Sequence, residues 1–154
     1  MLSLSYRQAA PADIAQLAAM NQHLIQDEGH NNPMTLAQLE ARMSGWLTSQ
    51  EYSAVLFYHD QNCAAYALFK IEAAYTYLRQ FFVARDVRRQ GIGRAAMDLL
   101  LARILPQDRP VRLDVLIHNE RGLQFWHAVG FTDYSLTMTR PPGTLAPDHP
   151  DSPD

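Results

Sequence analysis

Apolar residues recur at two spacings along the chain, and these spacings predict helices and strands in turn. Strict alternation with polar residues predicts strands, whereas apolar positions three or four residues apart predict helices. Pro11 and Asp13 suit the first turn of the first helix, and Gly29 suits its end. Thr35 and Gln38 form a capping box that begins the second helix. The predicted strands cover residues 2–8, 52–59, 63–73, 75–83 and 111–117, and the predicted helices cover 11–28, 35–48, 94–105 and 119–129.

The segment between the fourth predicted strand and the third predicted helix carries the clearest chemical signal. Two glycines in it let the backbone turn tightly and let a ligand approach without a Cβ in the way. The helix that follows leaves its first N–H groups without partners and directs the positive end of its dipole at the turn. With three arginines nearby, these donors predict a site for a phosphate-bearing ligand. The segment reads Arg88-Arg89-Gln90-Gly91-Ile92-Gly93-Arg94.

Two common phosphate-binding motifs do not fit this segment. The dinucleotide fingerprint requires a third glycine where Ala96 stands, and the P-loop requires a lysine, whereas the only lysine is Lys70. The remaining pattern, Arg-x-x-Gly-x-Gly at a strand-to-helix junction, resembles the pyrophosphate-binding loop of the GCN5-related N-acetyltransferases (GNAT), which bind acetyl-coenzyme A. The alternative interpretation is a glycine-rich turn without a ligand.

A second signature of the same family resembles residues 119–131. Asn119 is a good N-cap, and Gly130 suits the left-handed position just past the helix end. In the family this helix follows a buried strand, here 111–117, and precedes the last strand. The two signatures and the strands beside them cover residues 75 to about 140, while the N-terminal half resembles the family only in its pattern of elements.

The resemblance implies an α+β fold with a mixed, mostly antiparallel sheet flanked by helices, in the order β-α-α-β-β-β-α-β-α-β. It also implies a single acetyltransferase domain over residues 1–140. The remaining residues, 141–154, are rich in proline and aspartate and are expected to be disordered or loosely attached.

The resemblance also assigns the cofactor site. In the family, the sheet opens as a V between the strand before the loop and the strand after its helix, and the pantetheine arm lies in that gap. Phe82 and Val83 are expected to supply amides to the arm, and residues 88–94 are expected to meet the pyrophosphate. The other expected cofactor contacts are Asn119 and Trp126, although a plain core position is an equal alternative for Trp126.

The implied reaction is acyl transfer by direct attack of an uncharged amine on the thioester, which requires a general base or a water chain. Many family members carry that base on the strand before the loop, but residues 75–83 hold no carboxylate, and Arg79 and Gln80 stand there instead. Many members also use a tyrosine as general acid where this chain has Trp126. An indole donates a hydrogen bond but does not usefully release a proton.

Several other side chains remain candidates for the catalytic groups. Glu28 ends the first helix beside the loop that borders the acceptor pocket in this family, and Glu72 follows an apolar strand. Tyr134 is the best remaining phenol for a general acid. A solvated carboxylate or a packing role is the alternative at each position. The histidines His30 and His127 have suitable pKa ranges.

Composition narrows the classes of partner and ligand that the chain is expected to bind. The net charge of −3 matches three aspartates in the last seven residues, which leaves no broad basic face for nucleic acid. No apolar stretch approaches the length of a membrane span. Cys63 is the single cysteine, which excludes an intrachain disulfide, and the histidines lack the spacing of metal ligands. We therefore expect a cytoplasmic protein without a metal, and the resemblance implies an enzyme that transfers an acetyl group from acetyl-CoA to the amine of a small molecule. A non-catalytic acyl-CoA sensor and a protein N-acetyltransferase are the alternatives.

Overall fold

A five-stranded sheet with helices on both faces organises residues 2–29 and 31–143, the part of the chain that the computed structural model describes. Neighbouring strands are antiparallel except for the last pair, which is parallel, and the spatial order follows the chain order. The strands are Ser5–Gln8 (β1), Ser53–His59 (β2), Asn62–Ile71 (β3), Thr76–Val83 (β4) and Val111–Arg112 (β5). The helices are Ile14–Glu28 (α1), Leu36–Thr48 (α2), Ile92–Leu99 (α3) and Glu120–Ala128 (α4). The predicted fold class is confirmed.

The sheet separates two hydrophobic clusters. Successive residues of a strand point to opposite faces, so Leu56 of β2 packs with α1 and α2, while Phe57 packs with α3. Both side chains are fully buried. Coverage on both faces explains why β2 and β3 read as nearly continuous apolar runs in the sequence.

The predicted helix boundaries rest on local chemistry that the structure confirms. Thr35 Oγ1 accepts a hydrogen bond from the Gln38 N–H, and Gln38 Oε1 accepts one from the Thr35 N–H, which completes the capping box. Gly29 (φ 67°) and Gly130 (φ 103°) adopt the left-handed conformation expected after α1 and α4.

Several elements differ from the prediction, most clearly β1, α3, β5 and the last predicted strand. β1 begins at Ser5, α3 begins at Ile92 and continues as a short π-helix over Leu100–Ile104, and β5 spans two residues instead of seven. β5 is short because it separates from β4 after Arg112, so the residues that follow have no ladder partner. For the same reason the last predicted strand does not form within the described residues, although Tyr134, Leu136 and Met138 alternate there as strand residues would.

Burial is unevenly distributed along the chain. The last buried residue is Leu105, and residues 106–143 are all half-buried or exposed. Tyr134 and Met138 in this part are 77% and 84% exposed. The well-packed body of the protein therefore lies within residues 13–105.

Some expectations concern residues beyond this description. His30 and residues 144–154, most of the predicted tail, lie outside the described residues. Within the described part, no helix combines the length and the apolar character that a membrane crossing requires.

Candidate active site

The open edge of β4 is the first component of the site. β4 and β5 pair only at Thr76 with Val111 and Tyr77 with Arg112. Beyond Tyr77, β4 runs on to Val83, and its edge on that side has no strand partner among the described residues. The pairing of β4 and β5 thus stops after Tyr77, at the place where the family resemblance predicts the V-shaped gap.

Two amides of β4 face this gap. The N–H of Ala84 donates to the carbonyl of Ala64 (2.8 Å), and antiparallel ladder bonds recur at every second residue. The amide of Phe82 therefore faces β3, while those of Phe81 and Val83 face the gap. The carbonyl of Val83 also points away from β3, because it accepts a hydrogen bond from Arg88 Nε. Phe81, rather than the expected Phe82, thus shares the open side with Val83.

A β-bulge in β4 places two consecutive polar side chains on one face. Gln80 pairs with Leu68 and Leu78 pairs with Phe69, which leaves Arg79 as the extra residue. Such an insertion interrupts the alternation of faces. Arg79 and Gln80 consequently both reach the α1–α2 side of the sheet, where Gln80 Oε1 accepts a hydrogen bond from the buried hydroxyl of Tyr66 (2.9 Å).

The loop before α3 has the backbone geometry of an anion site. Arg89 (φ 64°) and Gly91 (φ 79°) are both left-handed, and turns of this kind arrange successive N–H groups around a concavity. The first α-helical bond of α3 joins the Ala95 N–H to the Gly91 carbonyl. The N–H groups of residues 92–94 therefore have no partner within the helix and point back at the loop. A left-handed non-glycine residue costs roughly 1–3 kcal/mol, a strain typical of functional loops.

The arginines of this loop have different environments. Arg89 and Arg94 are exposed and form no ion pair with the carboxylates that the structure describes. Arg88 instead turns back, where its Nε donates to the Val83 carbonyl (3.1 Å) and its Nη2 pairs with Asp27 of α1. The prediction that all three arginines face the phosphates is thus not met by Arg88 in this conformation.

Asp27 is a site residue that the sequence did not single out. Its carboxylate pairs with Arg88 and with Arg85 (2.8 Å), so it ties the end of α1 to the loop. Burial opposes its ionisation, but the hydrogen bonds from the two arginines outweigh burial and lower the pKa of Asp27. Because about sixty residues separate the partners, only the folded chain shows this link.

The two loop glycines are required for different reasons. A Cβ at Gly91 would meet no atom within 4 Å, so only its left-handed backbone requires glycine. A Cβ at Gly93 would lie 3.2 Å from Phe125 Cε2 and 3.4 Å from Val83 Cγ2. Gly93 therefore lets α3 pack against β4 and α4 and does not make room for a ligand.

We expect Gly93→Val to lower the free energy of unfolding by about 1–3 kcal/mol, because extra methyl groups would overpack the contact with Phe125. Urea denaturation of the ligand-free protein measures this change. Gly45→Val is the matched control, since a Cβ at this glycine of α2 meets nothing within 4 Å. Equal destabilisation by both variants would contradict the packing role.

The second signature serves mainly to build α4. Asn119 Oδ1 accepts a hydrogen bond from the Gly122 N–H (3.1 Å), which is the expected N-cap. A Cβ at Gly122 would lie 2.8 Å from Asn119 Cγ, so this glycine makes room for the cap. The contacts of Asn119 in this structure are thus those of a helix cap.

Trp126 belongs to an aromatic cluster beside the open edge. Its ring lies 4.9 Å from that of Phe125, 5.3 Å from Phe131 and 5.8 Å from Phe81. These rings pack against the cluster on the α3 side of the sheet. Trp126 is thus a packed aromatic residue in this structure, and its expected contact with the cofactor stays a prediction.

Glu28 ends α1, on the α1–α2 side of the sheet. It is half-buried at the C-terminus of α1, and the next residue, Gly29, lies beside His118 in the turn before α4. Burial raises the pKa of Tyr66, and the charge of Glu28 raises it further. Because Tyr66 donates to Gln80 at the bulge, Glu28 is within electrostatic reach of the same end of the site.

Tyr77 and Asp114 lie where β4 and β5 separate. The Tyr77 hydroxyl donates to Asp114 Oδ2 (2.7 Å). Burial and this hydrogen bond raise the pKa of Tyr77 to about 12, so its proton stays in place at neutral pH. Sequence patterns gave no sign of this pair, because it joins residues 37 positions apart.

The other candidate groups lie elsewhere. Glu72 pairs with Lys70 (3.3 Å) at the end of β4 opposite the loop. Tyr134 is exposed and accepts a hydrogen bond from Arg112 (3.1 Å), and His127 pairs with Asp133 on the outside of α4. Cys63 is half-buried, and burial raises the pKa of its thiol. Among the described residues, no group of three potential metal ligands occurs.

Comparison with known proteins places these features in a wider group. The model of the acetyltransferase (GNAT) family matches residues 17–131. No curated protein matches the sequence. Among solved structures, a possible acetyltransferase from Clostridium difficile 630 aligns with a TM-score of 0.75 at 13% identity over 94% of this chain and 100% of its own.

Two further structures illustrate the range of acceptors within this fold. An aminoglycoside N-acetyltransferase in complex with CoA has a TM-score of 0.72 at 11% identity, covering 94% of this chain and 97% of its own. A ribosomal-protein-alanine N-acetyltransferase from Brucella melitensis has a TM-score of 0.67 at 16% identity, covering 90% and 99%. At these identities the likeness shows the fold.

Proposed function

Because the chain belongs to the GNAT acetyltransferase family, we propose that it transfers an acetyl group from acetyl-CoA to the amine of a small molecule. The observation that carries this proposal is the combination of the open β4 edge with the left-handed loop at the N-terminus of α3. The edge of β4 would supply amides to the extended pantetheine arm, and the loop would supply N–H groups to the pyrophosphate.

The cofactor would lie along β4. Its pyrophosphate would meet the N–H groups of residues 89–94 and the exposed guanidinium groups of Arg89 and Arg94. The pantetheine arm would then run along the gap and bond to the amides of Val83 and Phe81, as an added strand would. This path leads the thioester toward the bulge at Arg79.

The reaction would proceed by direct attack. The acceptor ammonium loses a proton, the free amine attacks the thioester carbonyl, and the tetrahedral oxyanion collapses to expel the thiolate of CoA. A backbone N–H of β4 at the gap can stabilise the oxyanion. Thiolate is a fair leaving group, so the reaction does not depend on the phenol that Trp126 replaces.

Glu28 is our candidate for the general base. It is the carboxylate whose charge reaches the Tyr66–Gln80 pair at the bulge, and it lies on the α1–α2 side from which an acceptor would enter. Deprotonation directly or through one water would generate the reactive amine.

A small acceptor fits the acceptor side better than a peptide. A Cβ at Gly29 would lie 3.7 Å from His118 Nε2, so the end of α1 lies close to the turn before α4. This contact narrows the acceptor side, whereas a protein N-acetyltransferase requires an open groove for an extended chain.

Ligand-induced stabilisation tests the cofactor assignment. Acetyl-CoA at a concentration of 100 times its Kd should stabilise the folded state by about 2.7 kcal/mol and raise the Tm, while NAD and ATP should do much less. Release of CoA with a panel of amines then separates an enzyme from a non-catalytic sensor. Equal Tm shifts for all three ligands would remove the case for a CoA site.

A further inference from the structure

Two arginines on the acceptor side stack on the same tryptophan. The guanidinium carbons of Arg42 and Arg79 lie 4.5 Å and 4.7 Å from the centre of the Trp46 ring. Arg79 also lies 5.7 Å from the Tyr52 ring and donates a long hydrogen bond to its hydroxyl (3.4 Å). We refer to Arg42 and Arg79 as the arginine pair.

The arginine pair places two like charges against one indole ring, and neither has a carboxylate partner among the described residues. Neither guanidinium forms an ion pair with any carboxylate in the described part of the chain. Arg42 Nε is buried and has no hydrogen-bond partner there. Burial is the largest cause that lowers the pKa of Arg42, and the charge of Arg79 lowers it further. A buried donor without a partner and a pair of like charges both cost stability, which a bound anion would recover.

The nearby lysine does not share this situation. Lys70 lies 6.0 Å from the other aromatic ring, that of Tyr52, but its ammonium pairs with Glu72 (3.3 Å) and Glu51 (3.9 Å). Lys70 thus differs from the arginine pair, which has no carboxylate partner in the described part of the chain.

The position of the pair matches the expected position of the acyl group. Arg79 is the bulge residue of β4 and lies four residues before Val83, a distance of roughly 13 Å along the strand. An extended pantetheine arm that starts at the loop has about this reach. Arg79 and its neighbour Gln80 face the α1–α2 side, so the arginine pair lies beside the point at which an acceptor amine would attack.

Building on the proposed function, we propose that the acceptor carries a carboxylate close to its amine, as an amino acid does, and that the arginine pair binds this carboxylate. The planar guanidinium groups match the two oxygens of a carboxylate, and Trp46 holds both groups in place from one ring. On the same face, Glu28 is the negative group that attracts the ammonium of the acceptor. The arginine pair and Glu28 would thus bind the two opposite charges of a zwitterionic acceptor.

Matched acceptors test the inference. Release of CoA should be measured for the proteinogenic amino acids and for the corresponding amino acid amides, which lack the carboxylate. At least one amino acid should have a kcat/KM about 10-fold or more above that of its amide, the range for hydrogen bonds to a charged group. The amide has the less basic amine, so intrinsic reactivity favours the amide, and a preference for the acid must come from binding.

Substitutions then assign the preference to the pair. Arg79→Gln and Arg42→Gln should each raise the KM for the amino acid about 10-fold or more, leave the kinetics of the amide unchanged and preserve acetyl-CoA binding. Arg79→Lys keeps the charge and loses the planar fork, so it should restore the preference only in part. Arg103→Gln, at an exposed position after α3, is the control.

The results separate the inference from the proposed function. Turnover of amides equal to or faster than that of amino acids would overturn the inference and leave acetyl transfer intact. Equal losses for acid and amide in the arginine variants would also overturn it, because they indicate a structural role. If no acceptor is turned over, Tm shifts in the presence of CoA test the carboxylate site directly. Stabilisation by an amino acid but not by its amide would support the arginine pair as that site. The absence of such stabilisation would overturn the inference.

Discussion

Gly91→Val should abolish the stabilisation of this protein by acetyl-CoA while leaving the ligand-free fold nearly unchanged. Gly91 has φ 79°. This left-handed conformation costs a residue with a Cβ roughly 1–2 kcal/mol. The loop would relieve this strain by turning, and the N–H groups of residues 92–94 would then no longer converge. Isothermal titration calorimetry with acetyl-CoA and the Tm of the ligand-free protein measure the two halves of the result.

Gly91→Asn is the matched control for this experiment. Asparagine tolerates the left-handed conformation, and a Cβ at this position meets no atom within 4 Å. The Asn variant should therefore retain most of its affinity. Wild-type affinity in the Val variant would show that the phosphates bind elsewhere.

Glu28→Gln should lower kcat by about 10²-fold, the lower end of the usual contribution of a general base. The substitution keeps the size of the side chain and removes its charge and basicity. Steady-state release of CoA gives kcat and the KM for the amine, and calorimetry should show unchanged affinity for acetyl-CoA.

Glu72→Gln is the control, because Glu72 pairs with Lys70 at the opposite end of β4 and should be dispensable. A rise in KM alone for Glu28→Gln would identify Glu28 as a residue that binds the ammonium. An unchanged kcat and KM would exclude Glu28 from the reaction and point to an ordered water as the base.

The sequence predicted the features that depend on neighbours along the chain. Thr35 and Gln38 complete a capping box within four residues, and Gly29 and Gly130 end helices by their own conformational freedom. The order of the elements and the position of the loop followed from such local signals, because each element has its own periodicity and its own terminators, while the sheet arrangement came from the family resemblance.

The remaining features depend on contacts between distant segments. The bulge at Arg79 appears only when β3 sets the register of β4, and the length of β5 depends on where it leaves β4. Asp27 reaches Arg88 across the molecule. A pattern in one strand cannot report such pairings, and for this reason the amide at Phe81 and the arginine pair were not expected.

The uneven burial along the chain has an energetic consequence for the whole molecule. Residues 106–143 contain no fully buried side chain, so opening of this segment costs less free energy than opening of the core, although it would uncover the half-buried rings of Phe125, Trp126 and Phe131. Strands β1–β4 and helices α1–α3 form a well-packed platform, and β5, α4 and the segments around them form a cover that packs on it through half-buried side chains. A cofactor that touches β4 on the platform and the cover at once would join them, and part of its binding energy would be used to order the cover. Affinity and local order are thus thermodynamically linked in this fold.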